Sequence, residues 1–235
     1  MGYGLLGLTL RLRRFVTGRV ALPAVPRQTL HVTAFTSAVG GAAAATFFGA
    51  VDGARPVPAG FVGALLAVAL LFTVTEACPI HFHFRGQAHS LSLSDVALVL
   101  GLFTLAPGEL LASQLVGGLV AVAVLRRQRP IKAAFNLALY ALTCSIAIAL
   151  FQAIASRGDA FGIAGWLGAL VAAVAAALVG VAVVSVVIRI AGGSGMLREL
   201  PLVGGLAVSS SVMSATIALI AVELLHVDAR AVWLI

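Results

Sequence analysis

The sequence predicts an all-α, polytopic membrane helix bundle, and three observations carry that prediction. Hydrophobic residues make up 61% of the 235 positions and charged residues only 10%, the balance of a lipid-embedded chain. Apolar runs of about 20 residues, the length a helix needs to cross hydrocarbon, recur along the chain. All eight prolines, from Pro23 to Pro201, fall at the ends of those runs, where a missing backbone N–H is tolerated.

Taken in order, residues 1–29 form a basic N-terminal segment. Arg11, Arg13, Arg14 and Arg19 follow its apolar start, the reverse of a signal peptide's charge order. Leucines interleaved with these arginines fit a helix lying on cytoplasmic headgroups, or equally a frayed tail. Residues 30–235 then read as the bundle itself, with spans near 30–51, 60–77, 92–106, 109–125, 131–155, 163–190 and 198–225. The third and fourth are short, either tilted spans or one re-entrant hairpin turning at Pro107-Gly108. An eighth span opens at Ala229 and is cut short at Ile235, so the bundle is expected to be part of a longer polypeptide. Span interiors are rich in Gly, Ala, Ser and Thr, as in Ala38–Ala45 and Ser209–Thr216, which lets helices approach closely in lipid.

The net charge of +7 rests on fourteen Arg and one Lys. Assigned to alternate sides of these spans, twelve basic residues fall on the side of the N-terminus and three, Arg55, Arg157 and Arg230, on the other. The positive-inside rule then puts the N-terminus in the cytoplasm, with Arg126, Arg127 and Arg129 as topology anchors. Such a surplus points to anionic headgroups as partners and away from nucleic acid. Cys78 and Cys144 lack metal-ligand spacing and read as small core residues.

Chemistry concentrates in one connector. Glu76-Ala-Cys-Pro-Ile-His-Phe-His-Phe-Arg-Gly-Gln-Ala-His-Ser-Leu-Ser-Leu-Ser-Asp95 places His81, His83, His89, Arg85 and two acids between long apolar runs. His81 and His83 alternate in an extended stretch, the spacing of a weak metal site that His89 and Glu76 would complete. A polar, headgroup-level connector without metal is the preferred reading, and no cofactor is expected. Ser92-Leu-Ser-Asp95 has the capping-box pattern, with Ser92 as N-cap. Lys132 and Asn136 stand one helical turn apart after the Arg126–Arg129 turn, as an anchor or as groups reaching into the bundle to bind an anionic group or the loop containing Glu76. No nucleophile elbow, phosphate loop or zinc-helix motif is present.

Glu76-x-x-Pro79-Ile, the His/Arg-Gly connector, Ser-Leu-Ser-Asp95, Gly101-Leu-Phe103, Pro107, Arg126-Arg-x-Arg-Pro-x-Lys132 and Phe135-Asn136 together resemble the N-terminal multi-pass sensory region of bacterial, especially actinobacterial, GGDEF/EAL proteins. The resemblance covers residues 60–155 best. It implies a membrane input domain that relays a stimulus to cytoplasmic domains making or degrading cyclic di-GMP, with homodimerisation through those downstream domains. The Gly-Gly-Asp-Glu-Phe and Glu-Ala-Leu signatures are absent from this chain, so the chain itself is not expected to be an enzyme. Ligand or sensory candidates are Glu76, His81, His83, Arg85, His89, Asp95, Lys132 and Asn136. The alternative is a small-molecule transporter or vitamin-binding membrane component. A closed bundle favours sensing, and a solvated mid-depth pocket favours transport.

Overall fold

The computed structural model describes residues 27–51, 62–78, 80–84, 87–91, 93–192 and 196–227, of which 27, 51, 80–84, 87–91 and 196–199 are described by backbone alone. Seven α-helices run through these residues: α1 (Arg27–Val51), α2 (Val62–Ala77), α3 (Ser94–Thr104), α4 (Pro107–Leu119), α5 (Pro130–Ala155), α6 (Ile163–Ile190) and α7 (Met196–Val227). They follow the seven apolar runs closely, because proline and polar punctuation mark where most of them start and stop, although Pro201, expected at a segment end, lies inside α7. The basic segment before Arg27 and the helix expected from Ala229 lie outside the described residues.

Five of the helices are long and apolar enough to cross a membrane, whereas α2 and α3 are shorter. The expected pair of short third and fourth spans is therefore half corrected. Pro107 opens α4 at its first turn, where Glu109 accepts a hydrogen bond from the Ala106 amide at 3.1 Å. At its other end α4 continues as a π-helical turn over Val120–Leu125, giving one 19-residue apolar helix. Only α3, with 11 residues, stays far short of the hydrocarbon thickness.

The all-helical reading needs one addition. Strands β1 (Ile80–Phe84) and β2 (Gln87–Leu91) form an antiparallel ribbon between α2 and α3. Its register pairs His81 with Ser90, His83 with Ala88 and Phe82 with His89. Cross-strand partners share a face, so position 89 lies on the face opposite positions 81 and 83. The ribbon thus separates the third histidine from the other two.

Side-chain size is sorted as lipid packing requires, small inside and large outside. Gly165, Gly168, Ala169, Ala172, Ala173 and Ala176 form the buried stripe of α6, while Ile163, Leu167, Val171 and Leu178 face outward. On α2 the outward stripe is Val62, Leu66, Leu70 and Val74, each at least half exposed. Continuous apolar stripes of this size suit hydrocarbon, not water.

Close approaches fix the helix directions. Ser113 donates to Leu65 O at 3.2 Å, and Thr73 divides its hydroxyl between Ala69 O at 2.9 Å and Gly117 O at 3.3 Å. Contacts that advance together along both chains mean that α2 and α4 run parallel. A side chain at Gly117 would lie 2.8 Å from Phe72 Cβ and closer still to the Ala69 carbonyl, so glycine is what admits this backbone contact. Likewise α1 runs parallel to α5, with Gly40 beside Ala138 and Val39 and Ala43 packed with Leu142. Gln28 at the start of α1 donates to Ala191 O just after α6. These relations bring the exposed Arg126, Arg127, Arg129, Lys132 and Arg189 to one end of the bundle, and leave Arg157 at the other. Arg127 turns the chain there in the left-handed region, with φ 46°.

Candidate functional site

α2 and α3 approach each other with their polar ends. Glu76 sits in the last turn of α2 and Asp95 in the first turn of α3, and the two carboxylates are close enough to interact electrostatically. Both line a recess of about 150 Å³ together with Ser94, Leu98, Gln114, Leu139, Tyr140, Thr143, Ala176, Ala177 and Gly180. Its walls come from α2, α3, α4, α5 and α6. Gln114, the Leu139–Thr143 turn and the Ala176–Gly180 turn all fall near the middles of their helices. The site therefore stands at mid-depth in the bundle.

Tyr140 organises one wall. Its ring lies against Gly118, where a Cβ would come within 2.7 Å of it, and its hydroxyl donates to Glu76 Oε2 at 2.7 Å. Charge-assisted bonds of this kind hold a carboxylate that is otherwise costly to bury, and Glu76 is only 8% exposed. Arg126, exposed at the basic end, acts electrostatically on Tyr140 without lining the recess. Across the site, Ser211 of α7 stands beside Asp95.

The remaining polar groups differ in what they offer. Thr143 directs its hydroxyl at its own helix, to Leu139 O at 3.1 Å and Tyr140 O at 3.2 Å. Gln114 is 6% exposed, and its Oε1 finds no hydrogen-bond partner among the described residues. A buried acceptor left in that condition costs about 1–3 kcal/mol, so it marks a place where a donor is wanted.

Of the candidates named from sequence, the structure brings together Glu76 and Asp95 and places Lys132 and Asn136 apart from them. Lys132 is exposed at the basic end. Asn136 donates to Gln128 Oε1 at 2.8 Å, bracing the turn before α5 and not reaching Glu76. The N-cap of α3 is Leu93 and not Ser92, which lies outside the described residues, and Asp95 in the first turn lines the recess. His81, His83 and His89 are described by backbone only, and Arg85 lies outside the described residues. Among the described residues no group of three His, Cys, Asp or Glu is placed to hold a metal ion. Gln114, Tyr140, Thr143 and Gly180 are the lining residues that sequence reasoning missed. A Gln in the middle of an apolar run was the available signal, since an amide at that depth requires partners. No protein-family model, curated protein or solved structure matches this chain.

Proposed function

We propose that the chain is the membrane-embedded sensory input region of a cyclic di-GMP signalling protein, relaying a stimulus to cytoplasmic catalytic domains outside it. The observation that supports this reading is that Glu76 and Asp95, both drawn from the motifs that carry the resemblance, come together where α2 and α3 meet; the mid-depth recess that they line is the feature that speaks for transport. Because five helices wall that recess, whatever occupies it biases their packing, and a shift in helix packing is a signal that downstream domains can read. The coding frame beyond Ile235 tests the assignment. A GGDEF domain, with or without EAL, is expected; a stop codon within a few residues, or a downstream domain of another kind, removes it.

The orientation proposed with it places the basic end in the cytoplasm and the N-terminus there too. Reporter fusions after Arg129 and after Ser194 are expected to report cytoplasm, and fusions near Gly53 and Gly158 the outside. Opposite signals at both members of either pair overturn the orientation.

A second reading, a small-molecule transporter or vitamin-binding membrane component, is favoured by the depth of the recess. Discontinuous helices meeting near mid-membrane are a common way to build a transport site, and α2 and α3 meet in this manner around Glu76 and Asp95. Loss of the cyclic di-GMP assignment leaves this reading in front.

A further inference from the structure

We infer that the recess binds a small organic ammonium ion, with Asp95 and the side-chain oxygen of Gln114 as its acceptors. The inference deepens the reading above and rests on the recess being the receiving site. Its argument begins with which hydrogen-bonding groups are already used. The Tyr140 hydroxyl is committed to Glu76 and the Thr143 hydroxyl to its own helix. Neither proton is left for a ligand that brings only acceptors. Asp95 contributes a carboxylate, which accepts and does not donate when ionised. Gln114 Oε1, deeply buried, is an acceptor that no described group satisfies. A ligand complementary to this surface carries N–H donors and positive charge.

Charge and size narrow the class. Glu76 and Asp95 line the site, and among the described residues no Lys or Arg does; Arg126 acts on Tyr140 from the basic end. A hard cation could also use two carboxylates, an amide oxygen and the hydroxyls of Ser94, Tyr140 and Thr143. Among the described residues, however, no third His, Cys, Asp or Glu joins Glu76 and Asp95, and the apolar part of the lining favours an organic cation. Leu98, Leu139, Ala176 and Ala177 suit a short hydrocarbon stem beside the ammonium head. A cavity of about 150 Å³ is close to the volume that takes up benzene, which limits the guest to about six non-hydrogen atoms.

Gly180 supplies an independent handle. It lines the recess, and a Cβ built there meets nothing within 4 Å. Gly180→Leu therefore adds bulk at the wall of the recess while leaving both acids in the sequence. Asp95→Asn removes the charge while keeping the shape.

The test uses the 235-residue chain purified in detergent micelles, with propylammonium as probe. Propylammonium chloride is expected to raise the thermal midpoint beyond sodium chloride or tetrapropylammonium chloride at equal ionic strength, since the latter two lack N–H donors. Binding fitted from the dependence on concentration should weaken about tenfold or more in Asp95→Asn and in Gly180→Leu. Melting of both variants without probe establishes that each is folded. No propylammonium shift in the unsubstituted chain, an equal shift with sodium, or a shift retained in both variants overturns the inference. The outcome is separable from that for the signalling assignment. A frame that encodes GGDEF beside a recess indifferent to ammonium removes only the ligand class, and ammonium binding beside a stop codon removes only the output.

Discussion

Replacing Gly117 by alanine is expected to destabilise the bundle by about 2 kcal/mol or more, although it adds a single methyl group. The methyl would fall 2.8 Å from Phe72 Cβ and against the Ala69 carbonyl, both on a neighbouring helix with no flexible end to yield. α2 would have to move away from α4, weakening the Ser113 and Thr73 hydrogen bonds that cross between them. Gly41→Ala is the matched control. Nothing lies within 4 Å of a Cβ there, so the same change should be neutral or stabilising by up to about 1 kcal/mol, as expected for glycine replaced within a helix. Reversible unfolding in mixed micelles measures both. Equal effects at the two positions would show that α2 and α4 do not make this contact.

The second large effect belongs to Tyr140→Phe, which keeps the ring on Gly118 and removes only the hydroxyl that donates to Glu76. Losing a charge-assisted donor to a buried carboxylate is expected to cost about 2 kcal/mol. Glu76→Gln should cost less, because its amide oxygen still accepts from Tyr140. The pair Tyr140→Phe and Glu76→Leu gives the sharper readout: the double variant is expected to lose about 1 kcal/mol or more less than the sum of the singles. Additivity within about 0.5 kcal/mol would mean that the bond contributes nothing.

The helices were legible because their cause is local. Pro130 and the polar breaks around Arg157 and Gly192 delimit apolar runs, and those runs became α5 and α6 nearly to the residue. The apolar run puts the start of α4 at 109, two residues late, because Pro107 serves as the first position of the helix and not as part of the turn. At α3, Ser-Leu-Ser-Asp offers a capping pattern with Ser92 at the N-cap, but the helix starts one residue later with Leu93 there, and Asp95 in its first turn lines the recess. The recess was half legible. Glu76 and Asp95 stood out as acids beside apolar runs. Gln114, Tyr140 and Gly180 join them only because α4, α5 and α6 pack around one point, and no spacing within a single helix encodes that. Lys132 and Asn136 misled for the converse reason. Their one-turn spacing was real, but it keeps them within the first two turns of α5, with Asn136 about 6 Å short of Tyr140 along the axis.

The shortness of α3 has an electrical meaning. Eleven residues make a helix of about 16 Å, roughly half the hydrocarbon thickness, and Asp95 is at its inner end. With the chain in a membrane, that carboxylate stands partway down the transmembrane voltage and not at either surface. A univalent cation moving to it from one side traverses about half the field, worth about 1 kcal/mol per 100 mV. If the recess takes the ammonium ion proposed above, its occupancy would change roughly fivefold per 100 mV, which would make this pair of short helices responsive to the membrane potential.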